Sequence, residues 1–493
     1  MMKTTYRHFV SMGLAACLVL SSAGCGKTVS ESESNASSAA MTSESASNEE
    51  VVTLTWFQPG VGQPDNYAEW QAHVNEYLEE KIGVHLDVQV IPWGDWDNRR
   101  NVLVKTGGDY DILFTDFKTY ASDVELGAFM NISELIPECA PELYEMIPED
   151  YWRASSVKGE LYAVPTLKDS SMTQYFIWDQ AMLDKYDLDV SDLHTLADID
   201  EPLRTIHEGE NEPVFILNQN GVIPILNVYD QMGTGLPAIG VRYDDESATV
   251  VATLEQPDVK ENLSILHQWY NEGIINSDAA IHPEDSSAKI CSFGQGWSLA
   301  AKTTWGPTMG IDALAVQWGD TIVSNDTVRG SLNCISSSCD HPEKALELLQ
   351  LANTDTHFRD MLYYGLEGDN FEYTADGKVE KKNDDWSMAG YTQATFFNVS
   401  QLSTDTVNQW DEVRELNEQA SASVLLGFDL DTTAVNDSII NCVEIYNRYK
   451  SELLTGTKEP EEAIEKMMQE MRAAGFDDIL NEAQRQVDEF MNK

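Results

Sequence analysis

Cysteine is the side chain with the widest chemical reach in this sequence, and Cys25 sits where its thiol would be used. It follows the small residues Ser22-Ala23-Gly24. Ahead of them lie Lys3, Arg7 and an apolar run from Phe9 to Leu20. A charged start, a short apolar stretch and small residues at the cut are the marks of an export signal. The apolar run is too short for a permanent span, which takes about 20 residues. A cysteine at the cut has the pattern of a bacterial lipidation box, whose thiol takes a diacylglycerol. Leu14-Ala15-Ala16-Cys17 also fits that pattern, and Ser22 stands where leucine is usual. Cleavage at Cys17 would leave Leu18-Val19-Leu20 at the mature end, so Cys25 is the expected anchor and Cys17 the alternative. An ordinary signal peptide with an incidental cysteine is the plainer reading.

The other reactive groups form no recognisable centre. Cys139, Cys291, Cys334, Cys339 and Cys442 are an odd set without the spacing of a disulfide framework or a zinc site, although Cys334 and Cys339 are near enough in sequence to pair. His207-Glu208-Gly209-Glu210 fails the zinc-protease pattern, and no serine-hydrolase elbow is present. Gly26-Lys27-Thr28 lacks the first glycine of a phosphate loop, and Gly233-Thr234-Gly235 is too little for a dinucleotide site. Asp376-Gly377 lacks the ligands that a calcium loop needs before it. With 83 acidic residues a pair of glycosidase carboxylates is possible, but no hydrolase phrase surrounds one. No enzyme activity, cofactor or metal is expected.

The elements that could position a binding site are clearer. Residues 26–50 are almost pure Ser, Glu, Ala, Thr and Asn, a flexible tether. Val51 to Phe57 reads as a strand stopped by Pro59-Gly60. Asp65 can cap a helix with Trp70, Val74, Tyr77, Leu78 and Ile82 on one face, closed by Gly83. His85–Val90 alternates as a second strand, a short helix surrounds Val102–Val104, and Tyr110–Phe114 is a third strand. This strand-helix alternation predicts a parallel sheet covered by helices, with ligands beyond the strand ends at Gln58-Pro59-Gly60 and Thr115-Asp116-Phe117. Tyr162–Pro165 is strand-like, Glu372–Val379 a hairpin around Asp376-Gly377, and Pro342 opens a helix to about Leu351. Glu459 to Ala474, closed by Gly475, and a final run to Met491 are helical. A chain of 493 residues exceeds one hydrophobic core, so at least two domains are expected. The formal charge of −52, about −54 once Lys3 and Arg7 are removed, repels nucleic acid and anionic lipid surfaces.

Several phrases carry a family resemblance. Ile91-Pro92-Trp93-Gly94-Asp95-Trp96, the stretch Lys105 to Thr115, and Gly159-Glu160-Leu161-Tyr162-Ala163-Val164-Pro165 resemble the lipoprotein branch of the family 1 extracellular solute-binding proteins. So do Asp340-His341-Pro342-Glu343-Lys344-Ala345, Tyr364-Gly365-Leu366-Glu367-Gly368 and, most specifically, Leu425-Leu426-Gly427-Phe428-Asp429-Leu430-Asp431 with Leu454-Thr455-Gly456. The resemblance spans residues 51 to 493. It implies an α/β, two-lobe, type II periplasmic-binding-protein-like fold, each lobe a mainly parallel sheet flanked by helices. The lobes would be 51–168 plus about 328–385, and about 169–327 plus 386–493. It further implies a monomer that captures a sugar or oligosaccharide in the cleft and delivers it to the transmembrane subunits of an ABC permease. The location would be the outer face of the cytoplasmic membrane in a Gram-positive-type envelope, held by lipid alone. A sensory or adhesion lipoprotein using the same fold is the alternative, and a secreted glycoside hydrolase a weaker one.

Sugars offer apolar CH faces to Trp and Tyr and hydroxyls to Asp, Asn, Gln and Lys. By resemblance the candidate contacts are Gln58 and Asp116 at the strand ends, Tyr120 just beyond, and Lys168 and Asp169 after the crossover. Tyr229 and Asp230, Trp305 as a stacking ring, and Phe397 and Asn398 complete them. Asp116 replaces a more usual small residue, and Phe397-Asn398 lacks the glycine of the branch's phrase. The plainer readings are a solvated loop for Gln58, a helix cap for Asp116, core packing for Tyr120 and an exposed ion pair for Lys168 and Asp169.

Overall fold

The computed structural model describes residues 51–283 and 290–492. The signal segment, Cys17, Cys25 and the tether lie outside the described residues. The first strand, β1 (Val52–Gly60), pairs in parallel with β2 (Val84–Pro92) and, at Trp56 and Phe57, with β3 (Ile112–Thr115). It does not stop at Pro59-Gly60. Beyond Phe57 its β3 side carries no partner, so the N–H that Pro59 lacks is not missed there. Gly60 also lets the strand run on, because a Cβ there would meet Val90 Cγ1 at 2.6 Å. Between β1 and β2 lies α1 (Tyr67–Ile82), which buries Trp70, Val74 and Leu78 and ends on Gly83 at φ 67°. Its N-cap is Asn66, not Asp65. The helix expected around Val102 is longer: α2 spans Trp93–Thr106.

The chain then rejoins the same sheet at β4 (Val164–Pro165) and crosses to a second sheet. That sheet contains β5 (Met172–Asp179), β6 (Cys291–Gln295) and β7 (Ala313–Val323). It returns at β8 (Leu332–Ile335), which pairs antiparallel with both β3 and β4. Helices α3 (Pro342–Thr354) and α4 (Thr356–Tyr364) follow. The third crossing carries α5 (Gln409–Gln419) and β9 (Ser421–Ala422), which pairs in parallel with β7. The sheets are more mixed than the mainly parallel pattern expected: β5 runs antiparallel to both β6 and β7. The chain ends in α6 (Asn436–Leu454), α7 (Pro460–Ala473) and α8 (Phe476–Met491).

Each sheet has its own core. Leu54, Trp56, Trp70, Ile112, Leu346 and Phe358 belong to one, and Phe176, Trp178, Leu263, Cys442, Met468 and Phe476 to the other. Leu425 and Leu426 are consecutive, yet Leu425 packs into the second core and Leu426 into the first. The phrase most specific to the resemblance is thus a joint between the two. Among the described residues no helix is long and apolar enough to cross a membrane.

Candidate functional site

Strand periodicity gives the crossing segments two opposite faces. Leu167 and Val323 border one cavity, and their neighbours Lys168 and Ser324 border another. We call the second face the front and the first the rear. The front cavity, of about 360 Å³, is lined by Phe117 beyond β3, Lys168, Asp169, Tyr229, Asp230 and Asp326, among others. The rear cavity, of about 700 Å³, is lined by Tyr151, Leu167, Val323, Phe397, Asn398 and Arg414, among others.

The joint between the sheets is held by hydrogen bonds rather than by apolar packing alone. Arg329, buried just before β8, donates to Ala154 O and Ser156 O, both at 2.7 Å, and pairs with Asp429 at 2.5 Å. Burial works against its charge, but Asp429 outweighs that and raises its pKa. Asn325 donates to Phe428 O at 2.7 Å and accepts from Gly427 N at 2.8 Å. Ser423 donates to Asp230 Oδ2 at 2.6 Å.

Of the residues proposed from sequence, the structure brings Lys168, Asp169, Tyr229 and Asp230 together at the front cavity. Lys168 is paired with Asp169 at 3.0 Å. The Tyr229 hydroxyl is turned to Asp258 at 2.8 Å. Asp230 is buried, accepts from Met232 N at 2.9 Å, and has its pKa raised by that burial. Asp116 accepts from Lys118 N at 3.0 Å and closes the turn before Tyr120. Gln58 is fully buried: its Oε1 accepts from Thr392 Oγ1 at 2.9 Å, while its amide nitrogen has no protein partner.

Four candidates are placed elsewhere. Tyr120 is core, its hydroxyl donating to Ser155 O at 2.7 Å. Trp305 packs with Ile177, Ala301, Met309 and Ala313 in a small cluster, against the bare backbone of Gly294 and Gly296. Phe397 and Asn398 fall on the rear face, Phe397 beneath the Arg414 guanidinium at 4.9 Å and Asn398 bonded to Thr356 at 2.5 Å.

What the candidates missed is a row of rings. Trp297, just past the end of β6, lies 5.6 Å from Trp410 at the start of α5. Trp410 stacks on Phe396 at 4.3 Å and 4°, and Phe396 meets the edge of Tyr363 on α4 at 5.6 Å. The row runs from the second sheet to a helix of the first core. All four rings are partly buried, and Trp410, Gln409 and Tyr363 also line a cavity of about 230 Å³. Trp297 Nε1 and Gln409 Oε1 are buried with no protein partner. Such orphaned groups are uncommon and call for an explanation such as a ligand. Further along, the exposed ring of Trp93 stacks with Tyr391 at 6.3 Å and 17°. The signal for Trp297 was present in sequence, since it follows a strand end as Asp116 does.

One arginine holds this wall. Arg359, fully buried, donates to Thr395 O at 2.7 Å, to Gln393 Oε1 and Gly390 O at 3.1 Å, and to Ala394 O at 3.2 Å. Its guanidinium also lies over the rings of Tyr363 and Phe396. No acid pairs with it among the described residues, and burial lowers its pKa to about 10. Rings flanked by amides and carboxylates suit a ligand with apolar faces and many hydroxyls.

A protein of Streptococcus pneumoniae serotype 4 described as a carbohydrate ABC transporter substrate-binding protein is 28% identical over 516 aligned residues, covering 99% of both chains. The N-glycan transport solute-binding protein NgtS of Streptococcus pneumoniae superposes with a TM-score of 0.79 at 26% identity, over 90% of this chain and 99% of that one. The chain is a relative of the carbohydrate ABC-transporter substrate-binding proteins. The resemblance read from the short phrases therefore stands, and so does the two-lobe α/β architecture. NgtS solved with Man5GlcNAc superposes less well, at 0.65 with the same identity and over 89% of this chain and 98% of that one. Residues 424–492 match a family described only as a domain of unknown function, DUF3502. That match begins at the joint formed by Leu425 and Leu426.

Proposed function

We propose that this protein is the lipid-anchored capture component of an ABC importer, taking an oligosaccharide between its lobes and passing it to a membrane permease. The observation that carries this reading is the row Trp297–Trp410–Phe396–Tyr363, which reaches from one sheet to the other core and borders a cavity of about 230 Å³. The glycan complexes of NgtS support a ligand built from mannose and N-acetylglucosamine. Rings stack on its CH faces; Gln58, Gln409 and the Trp297 indole bond its hydroxyls. The lobes are residues 51–168 with about 328–397, and about 169–327 with the remainder. The later end of the first lobe is supported by Ala394 and Phe397 packing against its core.

Ligand selects a closed arrangement by touching both lobes at once. The better superposition on NgtS solved without a named glycan supports an open arrangement here. Cys25 ties the mature chain to the outer face of the membrane, and no covalent chemistry follows capture. Titration calorimetry of the full chain with a mannose-N-acetylglucosamine oligosaccharide tests the reading. Saturable binding at one site is expected. Binding of amino acids or peptides in place of any sugar would contradict it.

A further inference from the structure

Resting on that reading, we propose that the front cavity selects uncharged oligosaccharides and rejects those bearing sialic or uronic acid, with Asp326 as the acceptor for ligand hydroxyls. The charged groups around the cavity are unevenly matched. Asp169, Asp230 and Asp326 all line it, and Lys168 is the one ammonium that does. Lys168 is already held by Asp169 at 3.0 Å and also donates to the Asp169 carbonyl. The nearby cation Arg329 is buried and held by Asp429. A ligand carboxylate would therefore lose its water, find the one lining ammonium already paired and lie beside three carboxyl groups, all inside a chain of formal charge −52. Lys118, an ammonium without an ion pair among the described residues, is held over the Phe117 ring at 6.0 Å.

The groups left uncommitted are those that read hydroxyls. Among the described residues the Asp326 carboxylate has no hydrogen-bond or ion-pair partner, and neither do the side-chain amides of Gln231 and Gln295, which line the same cavity. Phe117 adds an exposed ring. A carboxylate with two open oxygens can accept from neighbouring hydroxyls of one sugar ring. Asp326 is exposed where it lines the cavity, close to Asp230, which lines it too. Burial, then Asp230, and to a smaller degree Asp429, push its pKa up to about 6, against the pull of Arg329. Tyr229, Tyr243 and the Lys168–Asp169 pair are the other titratable groups on the cavity wall.

Hydroxyl donors favour the ionised carboxylate, so protonation competes with ligand. Affinity falls as pH drops through 6, by about tenfold between pH 7.5 and 5, the ratio for one group a unit below its pKa. The test is calorimetry on the full chain with a mannose-N-acetylglucosamine oligosaccharide and its sialylated counterpart, at both pH values. The expected results are binding of the neutral probe about 100-fold tighter than the acidic one, and the tenfold loss at pH 5. Asp326→Asn, shown by thermal unfolding to stay folded at both pH values, loses that pH step. Equal binding of the two probes, or a pH step that survives in Asp326→Asn, overturns the proposal and leaves the oligosaccharide reading standing. Binding of neither probe overturns the oligosaccharide reading itself.

Discussion

The front and rear faces of the crossing segments share a backbone but not a chemistry. On the front, one residue away from Leu167 and Val323, stand Lys168 and Ser324 with a set of acids and uncommitted amides. On the rear, Leu167 and Val323 themselves join Met146, Tyr151 and Phe397 around the larger cavity. The amides there are spent: Asn353 accepts from Thr395 N, and Asn417 donates to Lys168 O at 2.6 Å. Size alone would have chosen the rear cavity. Uncommitted polar side chains choose the front, and the ring row that joins both cores borders a third cavity of about 230 Å³.

That contrast can be broken at its strongest support first. Arg359→Met leaves the carbonyls of Ala394 and Thr395 and the Gln393 amide oxygen without a donor inside the first core. It should cost about 3–5 kcal/mol of stability in urea unfolding, as removing one partner of a buried polar network does. A loss under about 1 kcal/mol would mean the wall behind the ring row is held by something else. Trp297→Ala and Trp410→Ala should each weaken oligosaccharide binding by about 2–3 kcal/mol, the scale of a buried aromatic anchor, with little change in stability. Phe397→Ala on the rear should leave affinity within about threefold. Equal losses at the ring row and on the rear face would erase the distinction.

Asp429→Asn sharpens the joint rather than the site. It takes the charge partner from buried Arg329 and should cost about 2 kcal/mol, measured by chemical unfolding. The smallest effect is the stability counterpart of Asp326. A carboxyl whose folded pKa is raised to about 6 adds stability below its unfolded pKa, and that stability is lost as pH climbs through 6. Asp326→Asn should therefore raise the unfolding temperature at pH 7.5 and not at pH 4. A rise of the same size at both pH values would show that charge is not the cause.

Much of the fold was legible because its signals are local. Apolar spacing in α1 and the glycine at Gly83 set that helix, and the phrase Ala163-Val164-Pro165 marked the crossing. Lys168 and Asp169 came to the front cavity because they follow that crossing, and Tyr229 and Asp230 because they form a short strand there. What was not legible is long-range. Nothing near Trp305 says that Gly294 and Gly296 make room for its ring, or near Tyr120 that Ser155 receives its hydroxyl. Phe397 was placed by phrase, but only the packed crossing segments decide which face it meets. Trp297 was passed over although it follows a strand end, because its partner Trp410 lies on another crossing.

The central claim is capture by closure of two lobes around a ligand on the front face. Small-angle X-ray scattering of the full chain, with and without a saturating mannose-N-acetylglucosamine oligosaccharide, tests it most directly. The account predicts a smaller radius of gyration on binding, and no such contraction when Trp297→Ala is mixed with the same oligosaccharide at a concentration the variant cannot bind. An unchanged radius at full saturation of the unaltered protein would contradict it.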